Sequence, residues 1–231
     1  MNKDHYFIDP SYVCRTTCIK DNFWTENRIR NEPFNGSYAV MDAIAKIEKQ
    51  RKDNPSRLLD IGCGLSTKIS IFFPTYDVTG LDLQKAIEYS RKNNPRGKYF
   101  YCDFDDDEQI TSISKKIRYF DTIICIDVIE HVLYPEKMLR LIRRHLCSKG
   151  FAYISTLERD LSRGLNSWKT GSPHPAHVRE WNQKEFTQFL ASENFIVHDV
   201  FLTQQHMNAK DELHRKLKVQ TAICTLANEF V

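Results

Sequence analysis

The stretch Leu58-Leu59-Asp60-Ile61-Gly62-Cys63-Gly64 constrains this chain more than any other. An apolar run ends in a carboxylate, and two glycines follow with one residue between them. That pattern reads as a parallel strand breaking into a tight loop, with a helix opening at Ser66-Thr67-Lys68-Ile69. Glycines in such a loop allow positive φ and let a ligand approach bare backbone. A dinucleotide fingerprint would carry a third glycine, and Thr67 stands where it would fall. A diphosphate wants the helix N-terminus close by. A carboxylate just before the loop suits a cation or a hydroxyl-bearing ligand better. The stretch therefore points away from a nicotinamide cofactor and toward S-adenosylmethionine, which carries an amino acid, a sulfonium and an adenosine.

Beyond this loop, strand-like and helix-like segments alternate. Strands are expected at Arg57–Ile61, Asp77–Leu81, Lys98–Cys102, Asp121–Ile126 and Gly150–Thr156. Helices are expected at Thr67–Phe73, Leu83–Asn93, Asp107–Ile117, Tyr134–Leu146 and Gln183–Asn194. A further helix from Ser37 to about Lys52 carries Val40, Ile44 and Ile47 on one face. Such alternation with short connections implies an α/β fold, a parallel sheet with helices on both faces. The tail differs. Ile196–Leu202 and Val219–Leu226 are strand-like with no convincing long helix between them, so a neighbouring pair with at least one antiparallel member is expected.

With 231 residues the chain can build one large core. The expectation is a single domain over 1–231. Residues 1–35 form an aromatic-rich N-terminal arm or cap, 36–231 a Rossmann-like core, and 157–182 an acceptor-binding insertion. The net charge is only +3 and no run of five basic residues occurs, which argues against a nucleic-acid surface. No apolar stretch reaches the roughly 20 residues of a membrane span, and no signal segment follows Met1, so a cytoplasmic protein is expected. The seven cysteines form no Cys-x-x-Cys and read as reduced thiols acting as small hydrophobes.

Four points fall at the carboxyl ends of successive expected strands, the edge where open α/β sheets bind ligands. They are the Asp60–Gly64 loop, Asp82 about twenty residues later, Asp103, and the run Asp127-Val128-Ile129-Glu130-His131. Asp82 can accept hydrogen bonds from both ribose hydroxyls. Asp103 can accept from an adenine amino group, with Leu83 or Phe104 packed on the ring. Taken singly, Asp60, Asp82 and Asp103 serve equally well as helix caps. Their order and common placement favour the ligand.

On these residues the chain resembles the class I S-adenosylmethionine-dependent methyltransferases, from about Arg57 to Phe195. The resemblance implies a seven-stranded, mostly parallel sheet whose antiparallel last strand, Val219–Leu226, lies between the fifth and sixth. It assigns the methionine part to Asp60, Gly62 and Gly64, ribose to Asp82, and adenine to Asp103, with Cys63, Leu83 and Phe104 as further candidate cofactor contacts. Ile126 and Asp127 fall beside the reacting end. The segments Asp127–Val132 and His174–Trp181 look like those of small-molecule and glycan O-methyltransferases, including some from bacterial surface-polysaccharide pathways. The expected acceptor is thus a small molecule, preferably a sugar. His131 and His177 are the candidate bases, because imidazole titrates near the pH where a hydroxyl must lose its proton. Trp168, His174 and Arg179 are the candidate acceptor contacts, and Trp181 reads better as core. Asp127, Glu130, His131 and His177 also resemble the Glu-x-x-Glu-His plus distant His pattern of magnesium-dependent methyltransferases acting on quinol precursors or small-RNA 3′ ends. Asp127 replaces the first Glu, and Mg²⁺ disfavours two imidazoles, so no metal is expected. N-methylation of a small molecule is the alternative that shares every cofactor residue.

Overall fold

The computed structural model describes residues 3–20, 23–31, 38–165, 169–204 and 217–227. Seven strands form one sheet: β1 Arg57–Ile61, β2 Asp77–Asp82, β3 Lys98–Tyr101, β4 Phe120–Ile126, β5 Leu146–Leu157, β6 Phe195–Gln204 and β7 Lys218–Leu226. Their order is β3-β2-β1-β4-β5-β7-β6. The first five pair in parallel, and β7 runs antiparallel to both neighbours. The sheet is therefore the expected one, with its last strand inserted between the fifth and sixth.

Helices are α1 Glu26–Asn31, α2 Tyr38–Glu48, α3 Gln84–Asn93, α4 Asp107–Ser114, α5 Pro135–His145, α6 Arg159–Arg163 and α7 Gln183–Ser192. Their ends follow from local chemistry. Proline opens α5, and Arg143, Arg144 and His145 sit in its last turn, where they meet the carbonyl end of the helix dipole. Asn182 and Glu185 form a capping box at α7. Asp106 caps α4 by accepting from the backbone N–H of Glu108 and Gln109.

Three expectations shift. The helix expected at Thr67–Phe73 is a 3₁₀ turn, Lys68–Phe72. β5 begins at Leu146 and passes an irregularity before Phe151, earlier than the expected Gly150. Within the N-terminal arm a 3₁₀ turn (Lys3–Tyr6) and α1 form, and α6 follows β5; none of these short pieces has enough turns to show a period. Ser37, the expected start of α2, lies outside the described residues.

Successive side chains of the central strands point to opposite faces. Leu59, Ile61, Ile123 and Cys125 join one core cluster with α5, α7 and the arm residues Tyr6 and Tyr12. Leu58, Ile124 and Ile126 join a second with Val40, Met41 and Ile44 of α2. On that second face the apolar stripe of α2 ends in a charge. Glu48 is buried and accepts hydrogen bonds from Thr122 Oγ1 (2.8 Å), Tyr153 Oη (2.6 Å) and Tyr76 Oη, while Arg51 pairs with it at 3.1 Å. Glu48→Ala leaves three buried hydroxyls without their acceptor and removes one of the two carboxylates paired with Arg51. The expected loss is about 3–5 kcal/mol, the cost of breaking a buried pair. It is read as a lower urea midpoint at unchanged slope.

Candidate active site

The carboxyl ends of β1 to β4 meet along one edge. Gly62 and Gly64 take φ of 73° and 55°. A Cβ on Gly62 would lie 2.1 Å from Val128 Cγ2, so the glycine lets the β1 loop pass under the β4 loop. Gly62 N–H donates to Leu81 O (2.8 Å), and Gly64 N–H donates to Asp82 Oδ2 (2.8 Å). The loop after β1 is thus fastened to the end of β2.

Two of the aspartates are not helix caps. Asp82 does not cap α3; Leu83 holds the cap position and no side chain caps it. Asp82 Oδ1 accepts instead from Leu83 N–H (2.6 Å) and from Trp24 Nε1 (3.1 Å). Its burial raises the carboxyl, against the opposing pull of the Gly64, Leu83 and Trp24 donors. Asp103 does not cap α4, since Asp106 does. Lys20 Nζ donates to both Asp103 oxygens (2.9 and 2.8 Å) and pairs with Asp105 at 3.1 Å. Two carboxylates on neighbouring strand ends are acceptors only, and that donor–acceptor chemistry fits the hydroxyls and amino group of an adenosine. Asp60, Cys63, Phe104 and Ile126 are all buried around this edge, with Leu83 half-buried. Lys20, Phe23 and Trp24 were not singled out as cofactor-edge residues from sequence. The arm's aromatic richness was the available signal, and no spacing tied it to Asp82.

At the end of β4 the chain turns sharply. Asp127 takes a φ of 54°, uncommon for a residue with a Cβ, and its N–H donates to Ser155 Oγ on β5 (3.1 Å). The turn carries Glu130 and His131 across to the segment before Trp181. There Val178 N–H donates to Glu130 O (2.7 Å), and Arg15 N–H donates to Val178 O (2.8 Å).

This stitching gathers three of the expected histidines. The rings of His131 and His177 lie 4.9 Å apart, and those of His174 and His177 4.1 Å apart. His131 Nδ1 faces Ala176 O at 2.9 Å, and His177 Nδ1 faces a Glu180 oxygen at 2.6 Å. Each Nδ1 meets an oxygen acceptor, so each is assigned the proton and each Nε2 carries the lone pair. Burial works to raise the Glu180 carboxyl, but hydrogen bonds from His177 and Arg163 outweigh it and hold the group down at about 2. Glu130 is pushed the other way, well above the usual carboxylate range, by burial and then by the charge of Asp127. Its Oε2 meets no hydrogen-bond donor at bonding distance among the described residues. Glu130, His131 and His177 each offer an atom within 4.8 Å of the others. The sequence assigns no metal here, yet three donors of ligating type converge; Asp127 is not among them.

One expected acceptor contact is corrected. Arg179 is fully buried, donates to Val132 O (3.0 Å) and Leu133 O (2.8 Å), and lies 4.4 Å over the Tyr6 ring. It fastens the arm to the β4 loop and does not face an acceptor. Trp168 lies outside the described residues. Trp181 is core, stacked 5.6 Å from Phe189.

A strand edge with a glycine loop, two carboxylates and a histidine cluster after β4 is the arrangement of an α/β protein that binds ligands at its strand ends. Comparison with known proteins gives the family. A model described as a methyltransferase domain matches residues 30–200. The chain belongs to that family and is an S-adenosylmethionine-dependent methyltransferase. A ubiquinone biosynthesis O-methyltransferase of Rickettsia akari (strain Hartford) is 25% identical over 197 residues, covering 79% of this chain and 73% of that one. One of Caulobacter sp. (strain K31) is 27% identical over 219 residues, covering 84% of each. Among solved structures, an S-adenosylmethionine-dependent methyltransferase from Clostridium acetobutylicum shares the fold with a TM-score of 0.61 at 15% identity, covering 87% of this chain and 96% of that one. A plantazolicin methyltransferase in complex with a triazolic desmethylPZN analog and SAH matches with a TM-score of 0.61 at 17% identity, covering 86% of this chain and 88% of that one.

Asp82→Ala is expected to weaken S-adenosylhomocysteine binding by about 1.5–3 kcal/mol, the range for hydrogen bonds to a charged group. Isothermal calorimetry checks it, and an unchanged dissociation constant would place the ribose elsewhere.

Proposed function

We propose that this enzyme O-methylates a hydroxyl of a small molecule, with a sugar as the acceptor, either nucleotide-linked or in a growing glycan. The carrying observation is the pair His131 and His177, 4.9 Å apart with each Nδ1 bound to an oxygen. Both imidazoles thereby keep an Nε2 lone pair, and such a group can take the acceptor's proton. S-adenosylmethionine, when bound, supplies an electrophilic methyl group. The chain's own residues do the rest. Asp82 and Asp103 orient the adenosine, the Asp60–Gly64 loop holds the methionine part, and the histidine cluster positions the acceptor oxygen and removes its proton. Alignment of this kind provides much of the rate enhancement in a two-substrate transfer. His174, beside His177, is an acceptor contact in this reading. The sugar is supported by the resemblance of Asp127–Val132 and His174–Trp181 to glycan O-methyltransferases. A cytoplasmic location is supported by the seven cysteines, all free thiols.

A second reading is favoured by the convergence of Glu130, His131 and His177 and by the unpartnered Glu130 Oε2. These three would hold a divalent ion, which would supply Lewis acidity toward an acceptor hydroxyl. Two imidazoles and a carboxylate suit a transition metal better than Mg²⁺. The curated relatives carry the name ubiquinone biosynthesis O-methyltransferase, so an aromatic hydroxyl belongs with this reading.

Replacing the base by Ala should lower turnover by about 10² to 10⁴ while cofactor affinity stays unchanged. If His131→Ala and His177→Ala both keep wild-type rates on a panel of nucleotide sugars and aromatic diols, neither is the base and N-methylation comes forward. EDTA separates the two O-methyl readings. Under the first, methyl transfer continues at full rate in chelator. Loss of activity restored by Mn²⁺ or Mg²⁺ selects the second.

A further inference from the structure

Glu180 is fully buried, yet it is an acid in a segment whose neighbours Val178, Arg179 and Trp181 are core. Its Oε1 accepts from His177 Nδ1 (2.6 Å), Ser172 Oγ (2.6 Å) and Arg163 Nη2 (2.9 Å), and its Oε2 from Arg163 Nε (3.2 Å). Arg163 and Ser172 would suffice to satisfy a purely structural carboxylate. The third donor is a histidine that also belongs to the Glu130–His131–His177 cluster.

We infer that Glu180 is a positioning residue for the methyl transfer, fixing the tautomer and ring orientation of His177 so that its Nε2 lone pair is presented to the acceptor. The inference rests on the reading of His177 as the base. Three features support it. A neutral imidazole has two tautomers, and an acceptor at one nitrogen selects between them. A carboxylate is the stronger acceptor for that purpose and stabilises the imidazolium that proton uptake creates. The three-residue reach from His177 to Glu180 is also set by the main chain. Val178 between them is pinned on one side to Glu130 O and on the other to Arg15 N–H. Arg159 Nη1 donates to Glu180 O (3.3 Å), so the acid is held at its backbone as well. Ring rotation of His177 would break a bond that both side chains are braced to make. The other charged or titratable groups around the imidazole are Arg163 behind Glu180, with Glu130, His131 and His174 on the site side.

The first test uses the unmodified protein. Nitrogen-15 NMR of the histidine rings, with His177 assigned by its disappearance in His177→Ala, should show a protonated Nδ1 with a strongly downfield proton and an unprotonated Nε2. The opposite tautomer overturns the proposal. The second test is a cycle of Glu180→Gln, His177→Ala and the double variant, each titrated with S-adenosylhomocysteine to confirm the fold. Glu180→Gln should lower kcat by about 10- to 100-fold, the usual effect of removing a second partner behind a functional histidine, with cofactor affinity within about twofold. The double variant should be no slower than His177→Ala, because residues acting as a unit are not additive. A Glu180→Gln enzyme at wild-type kcat, or losses that add in the double variant, would mean that Glu180 does not act through His177. A wild-type rate for His177→Ala instead removes the base reading itself. Should Glu180→Gln lose cofactor binding, the tautomer of the unmodified protein decides alone.

Discussion

The parallel register of β1 between β2 and β4 is the constraint on which the rest depends. Ile61 pairs with Leu81 on one side and Cys125 on the other. The strand ends that follow are therefore level, and Asp82 and Asp127 emerge at the same height as the glycine loop. Parallel strands of this kind are buried on both faces and must be apolar throughout, as Leu58, Leu59 and Ile61 are. Asp60 is the exception within the strand. It is 2% exposed, and a carboxylate is not placed there for packing. The central strand thus supplies both the core's middle layer and a buried carboxylate next to the glycine loop.

The second half of the site is assembled differently. His174 and His177 stand on a segment that belongs to no long helix or strand, so they need ties that regular structure does not provide. Those ties are main-chain bonds from Val178 to Glu130 and from Arg15 to Val178, and the buried guanidinium of Arg179 on the carbonyls of Val132 and Leu133. Arg179 also lies over Tyr6, and Trp181 Nε1 donates to Tyr6 O at 3.0 Å. The N-terminal arm is consequently part of the site's scaffold. It clamps the histidine segment through Tyr6 and Arg15, and it reaches the cofactor edge through Lys20 and Trp24.

That difference explains what could be read from sequence. The strands and long helices carry their periods and their caps in consecutive residues, so β1 to β4, α3, α5 and α7 were expected within a few residues of where they lie. The aspartates after β2 and β3 also lie at strand ends as expected, because the topology alone fixes where a strand ends. Arg179 was misassigned for a physical reason. A guanidinium beside two histidines resembles an anion site, and nothing local shows that two backbone carbonyls and a tyrosine ring will bury it. Glu48 and Glu180 were missed for the same reason. Each has one partner three residues away, Arg51 and His177, but the rest of its partners come from farther along the chain, and charge within a short window does not show that the acid will be buried. Trp24 on Asp82 is a contact across 58 positions that no spacing rule encodes.

The two histidines of the cluster are anchored unequally, and this divides their roles in the proposed reaction. His131 Nδ1 bonds a neutral carbonyl, that of Ala176, while His177 Nδ1 bonds an ionised carboxylate. When a proton arrives at Nε2, positive charge spreads to the Nδ1–H. A carboxylate opposite that hydrogen stabilises the new charge far more than a carbonyl dipole does. His131 also makes a T-shaped contact with the ring of Phe23, centroids 5.3 Å apart, a neighbour that carries no charge. In the proposed reaction this asymmetry places proton uptake on His177 rather than on His131. With Arg163 braced behind Glu180, the positive charge formed on His177 completes an Arg–Glu–His alternation of plus, minus and plus in which one carboxylate faces both cations.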